Sequence, residues 1–309
     1  MTSMLKPKPL APGNTIGIVA PASPPKPEAF KAGLQELERL GFRLQVAGGI
    51  FERQFYTAGP AKARAQSLIR MFEDPAIDAI FCARGGYGCH HLLPYLDPAL
   101  IRAHPKIFMG YSDVTVLLQL LENQCGLTCF HGPMVAFEFA RGQGAYEESS
   151  LRSSLFENKS GWTVESPRLE TIHGGVARGA LTGGCLSLLC ALLGTPFEME
   201  TRDRILFLED IDARPYQIDR MLTHMKLAGK LEDVRGIVFG EMMDCLQGSD
   251  QDYRLQGNLA EILKEYDFPI VYGFPSGHVK EGMVTLPFGL PVELDADSRW
   301  LKIMERATA

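Results

Sequence analysis

The chain has 309 residues, 46% of them hydrophobic and 22% charged, a balance that excludes a disordered polymer and, at roughly 150 residues per domain, fits two globular domains or one large one. Thirty-one basic residues against 37 acidic ones give a formal net charge of −6. The basic residues are scattered, which argues against a nucleic-acid polymer or an anionic membrane surface as partner. Seven cysteines, an odd number with no CxxC pair and no zinc-type spacing, read as buried free thiols of a reducing compartment. The amino-terminal MTSMLKPKPLAPGNTIGIVAPASPP lacks the apolar core of a signal peptide, and no stretch approaches the ~20 apolar residues that span a bilayer. A cytoplasmic protein is expected.

Taken in chain order, Thr15–Ala20 (TIGIVA) is a short apolar run between Gly13-Asn14 and Pro21, which suits a buried strand. Pro27–Leu40 carries Phe30, Leu34, Leu37 and Leu40 at helical spacing and ends at Gly41, a common helix stop. Ala61–Phe72 repeats the helical pattern, Ala79–Ala83 (AIFCA) and Lys106–Met109 (KIFM) read as strands, and Val114–Leu121 as a helix. Strands alternating with helices predict βαβ units and a doubly wound, mostly parallel sheet. Ligands of such sheets bind beyond the carboxyl ends of the strands, which directs attention to the loops after Ala83 and Met109.

The stretch Arg141–Gly175, with RGQGAYEESS, ENKSGW and TIHGG, breaks this rhythm and reads as an interdomain connection. Beyond it, Arg204–Leu208, Gly236–Phe239 and Ile270–Tyr272 read as strands and Pro215–Leu227 as a helix with Ile218, Met221, Leu222 and Met225 on one face. The tail, MVTLPFGLPVELDADSRWLKIM, holds short strands broken by Gly-Leu-Pro and Asp-Ser. The expected fold class is therefore α/β: a doubly wound N-terminal domain over residues 1–150, a connection over 151–175, and a smaller C-terminal α/β domain over 176–309 with β-ribbon or barrel-like strands.

Gly110-Tyr111-Ser112-Asp113 follows an apolar strand and opens an apolar helix, the strand–turn–helix setting of a nucleophile elbow. Position 114 is Val, so the full G-x-S-x-G is absent. On these four residues alone Ser112 or Asp113 reads more readily as a helix N-cap, which any helix start prefers. Arg84-Gly85-Gly86-Tyr87-Gly88 lies after the strand AIFCA. Its glycines let backbone N–H groups turn outward to cradle a carboxylate or an oxyanion, or simply make a tight turn. Neither a Walker lysine nor G-x-G-x-x-G is present.

A serine nucleophile needs a base, and the base an orienting group. His278, in GFPSGH just past a strand, has the best placement, and His131 in FHGPM is the second choice. His224 falls in a helix and reads as structural. His90 and His91 begin a helix beside the glycine loop but face different ways, which disfavours a metal site, while His104 and His173 sit in polar loops. Glu209 ends the apolar strand RILFL, a place where a carboxylate is paired or faces a site. Glu241 in VFGEM has the same placement, and Asp210 and Asp212 read as helix caps.

Together and in order, GIVAPASP, ARGGYG, GYSD, FHGPM, GGCLSLLCALLGTPFE, LFLEDIDARPYQIDRML, GIVFGEM and GFPSGH resemble the LD-carboxypeptidases, also called muramoyltetrapeptide carboxypeptidases, with microcin-immunity serine peptidases as relatives. The resemblance implies a Ser–Glu–His triad of Ser112, Glu209 and His278, and an oxyanion hole from the amides of Gly86 and Asp113. It also implies cleavage of the L,D-peptide bond to the terminal D-alanine of murein tetrapeptides, in a cytoplasmic homodimer that uses no metal or organic cofactor. Arg84, Gly85 and Tyr87 are expected to contact substrate. One alternative is an immunity-type amidase acting on a peptidyl or aminoacyl nucleotide, for which Trp162 is an available aromatic platform. Another is a non-catalytic protein that clamps an anionic small molecule at the glycine loop.

Overall fold

The computed structural model of the chain describes residues 4–156, 161–245 and 254–309. Its residues divide into two units, Met1–Asn158 with Lys280–Gly289 and Arg306–Ala309, and Lys159–Val279 with Leu290–Glu305.

In the first unit β1 (Thr15–Val19), β2 (Arg43–Val46), β3 (Ala79–Cys82), β4 (Ile107–Gly110) and β5 (Cys129–His131) are parallel, in the order β5-β4-β3-β1-β2. The short apolar runs become strands because both faces are covered: every residue of β3, β4 and β5 is buried, as all-parallel sheets require. The polar edge strand β2 has no such run and was not read from the sequence. The chain steps outward from β1 to β2 and then returns to the other side of β1 for β3. The strand order thus reverses between β1 and β3, the switch point at which such sheets open a crevice.

Helices α1 (Pro27–Arg39) and α2 (Ala61–Glu73) bury Phe30 and Leu37, and Leu68, Met71 and Phe72. Pro27 starts α1 at a position where its missing N–H is harmless, and α3 (Pro98–Ala103) is capped by Asp97. Helix α4 (Thr115–Asn123) is buried on every side through Glu122. Helix α5 (Glu148–Leu155) lies within the stretch read as a connection and belongs to the first unit. The Glu147 carboxylate caps it by accepting from the amides of Ser149 and Ser150.

The second unit opens with β6 (Trp162–Glu165) and β7 (Glu170–His173), so the remainder of that stretch is two strands at opposite edges of a sheet. Edge strands exposed along most of their length lack the apolar alternation that betrays a strand in sequence. Strands β8 (Val176–Cys185), β9 (Arg204–Glu209), β10 (Gly236–Gly240) and β11 (Ile270–Phe274) are parallel neighbours. Helices α6 (Leu186–Leu192), α7 (Pro215–Leu227) and α8 (Leu255–Leu263) connect them. Leu189, Ile218, Leu222, Met225 and Leu259 pack with Leu206, Leu208, Ile237 and Phe239 in one core.

The chain then returns to the first unit for β12 (Leu286–Phe288), antiparallel to β5 with Leu286 opposite His131. Residues 280–289 and 306–309, read as part of a C-terminal domain over 176–309, therefore belong to the first unit. Strands β13 (Pro291–Asp295) and β14 (Trp300–Ile303) form the expected antiparallel ribbon, and it extends the second sheet, in the order β6-β14-β13-β8-β9-β10-β11-β7, rather than closing a barrel. Among the described residues no helix is long and apolar enough to cross a membrane.

Candidate functional site

Strand β4 delivers the chain to Gly110, where a Cβ would stand 3.0 Å from both Cys82 Cβ and Val114 Cγ1. Tyr111 is extended, and Ser112 then turns to φ +62°, a left-handed conformation that residues other than Gly adopt only at some cost. A single 3₁₀ turn, Ser112–Val114, leads directly into α4. This is the tight strand–turn–helix that lifts a serine above a sheet edge. The capping reading does not hold: neither the turn nor α4 has a side-chain cap. The Asp113 carboxylate reaches instead to the Cys89 amide, which donates to it at 2.8 Å.

The glycine loop after β3 lies against this turn. A Cβ on Gly85 would stand 2.9 Å from Ser112 Cβ, 3.0 Å from its Oγ and 3.5 Å from the Asp113 amide nitrogen, so position 85 must be Gly for the serine to sit where it does. Gly86 has φ +109° with Ser23 Oγ where its Cβ would be. Ser23, in the loop after β1, clasps the arrangement: its amide donates to Gly85 O at 3.2 Å, its hydroxyl to Tyr56 O at 2.6 Å, and Oγ accepts from the Tyr87 amide at 3.2 Å. Loops from β1, β3 and β4 thus meet beside the switch point. Arg84 is half-buried, with Nη1 3.5 Å from Pro24 O, and Tyr87 is exposed.

Beneath these loops Arg64 of α2 is 5% exposed. Its guanidinium donates to Gly88 O at 3.0 Å, Gly59 O at 3.1 Å and the Pro21 carbonyl. Burial lowers its pKa, and burial raises that of Asp113 against the opposing pull of the Cys89 amide. Sequence reasoning missed both Ser23 and Arg64. Ser23 stood in a quoted motif directly after a strand at the switch point, whereas nothing in KARAQSLIR sets Arg64 apart from a surface arginine.

In the second unit Glu209 ends β9 with its side chain 1% exposed. Two glycines make room for it. A Cβ on Gly240 would stand 2.8 Å from Glu209 Cβ, and one on Gly277, at φ +86°, 2.6 Å from Glu209 Cγ and Oε2. Glu209 Oε2 accepts from the His278 backbone amide at 3.1 Å and lies 2.7 Å from its ring Nδ1. Nδ1 as the donor to the carboxylate leaves Nε2 as the ring's acceptor. Sequence spacing left Glu241 as an equal alternative, but its carboxylate pairs with Arg168 and its carbonyl accepts from Tyr272 Oη. Asp210 accepts from the amides of Ser187 and Ile211, not as a cap of the following helix.

The remaining histidines separate from this set. His131 is wholly buried in β5, 5.7 Å from the Tyr111 ring and 5.6 Å from Phe288, and belongs to the core. His224 is exposed on α7, and His173 Nδ1 lies 2.8 Å from Phe268 O. His90 and His91 begin a 3₁₀ helix, His91 edge-on to Tyr87. All seven cysteines are free.

The family model described as the LD-carboxypeptidase N-terminal domain matches residues 16–132, and that described as the LD-carboxypeptidase C-terminal domain matches residues 178–294. A probable murein peptide carboxypeptidase of Bacillus subtilis is 38% identical over 92% of this chain and 89% of its own length. Among solved structures, muramoyltetrapeptide carboxypeptidase from Oxalobacter formigenes superposes with a TM-score of 0.83 at 27% identity, covering 95% of this chain and 99% of that one. The microcin C7 self-immunity protein MccF, in complex with aspartyl sulfamoyl adenosine, superposes with a TM-score of 0.92 at 27% identity, covering 99% of this chain and all of that one.

Proposed function

Because the chain belongs to the LD-carboxypeptidase family, we propose that it is a serine carboxypeptidase that removes the terminal D-alanine of murein tetrapeptides, with Ser112 as nucleophile, His278 as base and Glu209 as the orienting acid. The observation that carries the reading is the buried carboxylate of Glu209 held on Nδ1 of His278 at 2.7 Å. That bond fixes the tautomer whose Nε2 can take a proton, and supports the imidazolium once it has done so.

His278 accepts the hydroxyl proton as Ser112 Oγ attacks the peptide carbonyl. The tetrahedral oxyanion is held by the amides of Gly86 and Asp113, each donor worth about 3 kcal/mol of barrier when judged by the loss of one. Collapse transfers the proton from His278 to the leaving nitrogen and releases D-alanine. Water then attacks the acyl-enzyme with the same histidine as base. Gly85, Tyr87 and Arg84 line the loop that receives substrate, Arg84 as a cation suited to the terminal carboxylate. The enzyme acts in the cytoplasm as a homodimer.

Release of D-alanine from a defined murein tetrapeptide, followed by mass spectrometry, tests this reading. Wild-type enzyme is expected to cleave it, and Ser112→Ala to abolish cleavage. Normal turnover by Ser112→Ala overturns the assignment of the nucleophile. A second reading, hydrolysis of an aminoacyl sulfamoyl nucleotide, is favoured by the higher TM-score to MccF than to the muramoyltetrapeptide carboxypeptidase. The two substrates assayed in parallel separate the readings by kcat/KM.

A further inference from the structure

The segment after β5, GPMVAFEFAR, is used by none of the steps above. Its residues Val135–Phe139 form a wide π-type turn, a conformation that is rare and gathers at functional sites. The turn packs on α1, against Gly33, and three sets of its hydrogen bonds, all within the first unit, bear on the site. The amide of Ala136 donates to Ala83 O at 2.8 Å, one residue before the Arg84–Gly88 loop. Glu138, wholly buried, accepts through Oε1 from Tyr111 Oη at 2.9 Å and through Oε2 from the Met134 amide at 3.1 Å. Arg141 Nη2 donates to the same Oε1 at 3.3 Å, while its Nη1 donates to Lys280 O at 2.9 Å.

Tyr111 is the residue before Ser112, and Lys280 is the second residue after His278 and the first at which the chain re-enters the first unit. A carboxylate removed from water is costly unless its lone pairs are filled. Here the donors that fill them come from the serine turn, from the carboxylate's own turn, and from the arginine that grips the Lys280 carbonyl. Resting on the reading of Ser112 as nucleophile, we infer that Glu138 is a positioning residue. It holds the serine turn through Tyr111 and, through Arg141, the downstream end of the segment that carries His278. It touches no substrate atom. Its contribution is to fix where the hydroxyl and the histidine loop are anchored, and small displacements of reacting groups are costly in rate.

The test uses Tyr111→Phe, Glu138→Gln, Arg141→Ala and the double variant Tyr111→Phe/Glu138→Gln in the full chain. For each, the second-order rate of labelling of Ser112 by a fluorophosphonate, kcat and KM on a murein tetrapeptide, and Tm are measured. The expected result is a loss of about tenfold or more in both the labelling rate and kcat at temperatures well below Tm, with KM within about twofold of wild type. The double variant is expected to be no slower than Glu138→Gln alone, because both changes break one linkage. If Glu138→Gln does not fold, Tyr111→Phe and Arg141→Ala decide the matter, since each removes one arm of the carboxylate's set and leaves the carboxylate in place. Labelling rates unchanged from wild type, or losses that simply multiply in the double variant, overturn the inference. Wild-type enzyme that takes no label at Ser112 overturns the assignment of the nucleophile as well, which distinguishes the two failures.

Discussion

Glu209 Oε2 is shared by two donors of one residue, the ring Nδ1 of His278 at 2.7 Å and its backbone amide at 3.1 Å. The double contact fixes both the ring and the backbone from which the ring hangs, so the imidazole has little freedom to rotate or to change tautomer. Gly277 is part of the same device, since any side chain there would displace the carboxylate.

Glu209→Gln keeps the shape but offers an amide NH₂ or a single neutral oxygen to Nδ1, and it removes the charge that supports an imidazolium. The expected outcome is a fall in kcat of about 10³–10⁴-fold, the scale known when a triad acid is made an amide, with KM little changed. Steady-state kinetics on a murein tetrapeptide check it. A kcat within tenfold of wild type removes Glu209 from the mechanism.

Gly85→Ala is a test of fit rather than of chemistry. Position 85 does not have a positive φ, so alanine is allowed by its backbone, but the new methyl would stand 2.9 Å from Ser112 Cβ and 3.0 Å from Oγ. The serine must move by several tenths of an ångström. A loss of about 10²-fold in kcat/KM is expected with Tm lowered by only a few degrees, measured by kinetics and by thermal unfolding on the same preparation.

Much of this was legible in the sequence, and the exceptions share a cause. Buried parallel strands such as AIFC and IFMG are continuous apolar runs, and the turn that follows the second was readable as strand, glycine, serine, helix. Placement at a strand end did not by itself separate Glu209 from Glu241. The family resemblance made that choice, because the physical difference, Arg168 reaching Glu241 from a loop some seventy residues away in the chain, leaves no local pattern. The edge strands β2, β6 and β7 were missed because a strand exposed on its edge needs no apolar pattern. Helix α5 was missed because its core contribution is only Leu151 and Leu155 among serines. Arg64 and Ser23 act through backbone carbonyls and amides, partners that no residue pattern encodes.

Arg64→Met isolates that kind of role. The methionine fills the volume, but the carbonyls of Pro21, Gly59 and Gly88 lose the guanidinium. Gly59 O keeps the Thr57 hydroxyl and Gly88 O the His91 amide, so the loss falls chiefly on the Pro21 carbonyl. Buried acceptors left unsatisfied cost about 1–3 kcal/mol. The expected result is a stability loss of that size in urea unfolding with m unchanged, accompanied by lower kcat, since Gly88 and Pro21 flank the loops that hold Gly85 and Ser23. A variant as stable as wild type shows that water or a neighbouring donor replaces the guanidinium.

Asp210 gives a pH dependence with a definite sign. Burial, and then the charge of neighbouring Glu209, raise its pKa above the ordinary carboxylate value, although the amides of Ile211 and Ser187 oppose the shift. The folded state therefore binds this proton more tightly than the unfolded chain does. In the window between the unfolded pKa, near 4, and the elevated folded value, the native state holds more protons than the unfolded state, so stability falls as pH rises. The contribution is fully present below the unfolded pKa and is lost as pH climbs through the folded one. Asp210→Asn cannot ionise and keeps an oxygen for one of the two amides. The stability of wild type relative to Asp210→Asn should therefore decline from pH 4 towards neutrality and then level off. Urea unfolding of both proteins at intervals of half a pH unit measures this difference, and a difference that rises with pH places the folded pKa of Asp210 below its unfolded value.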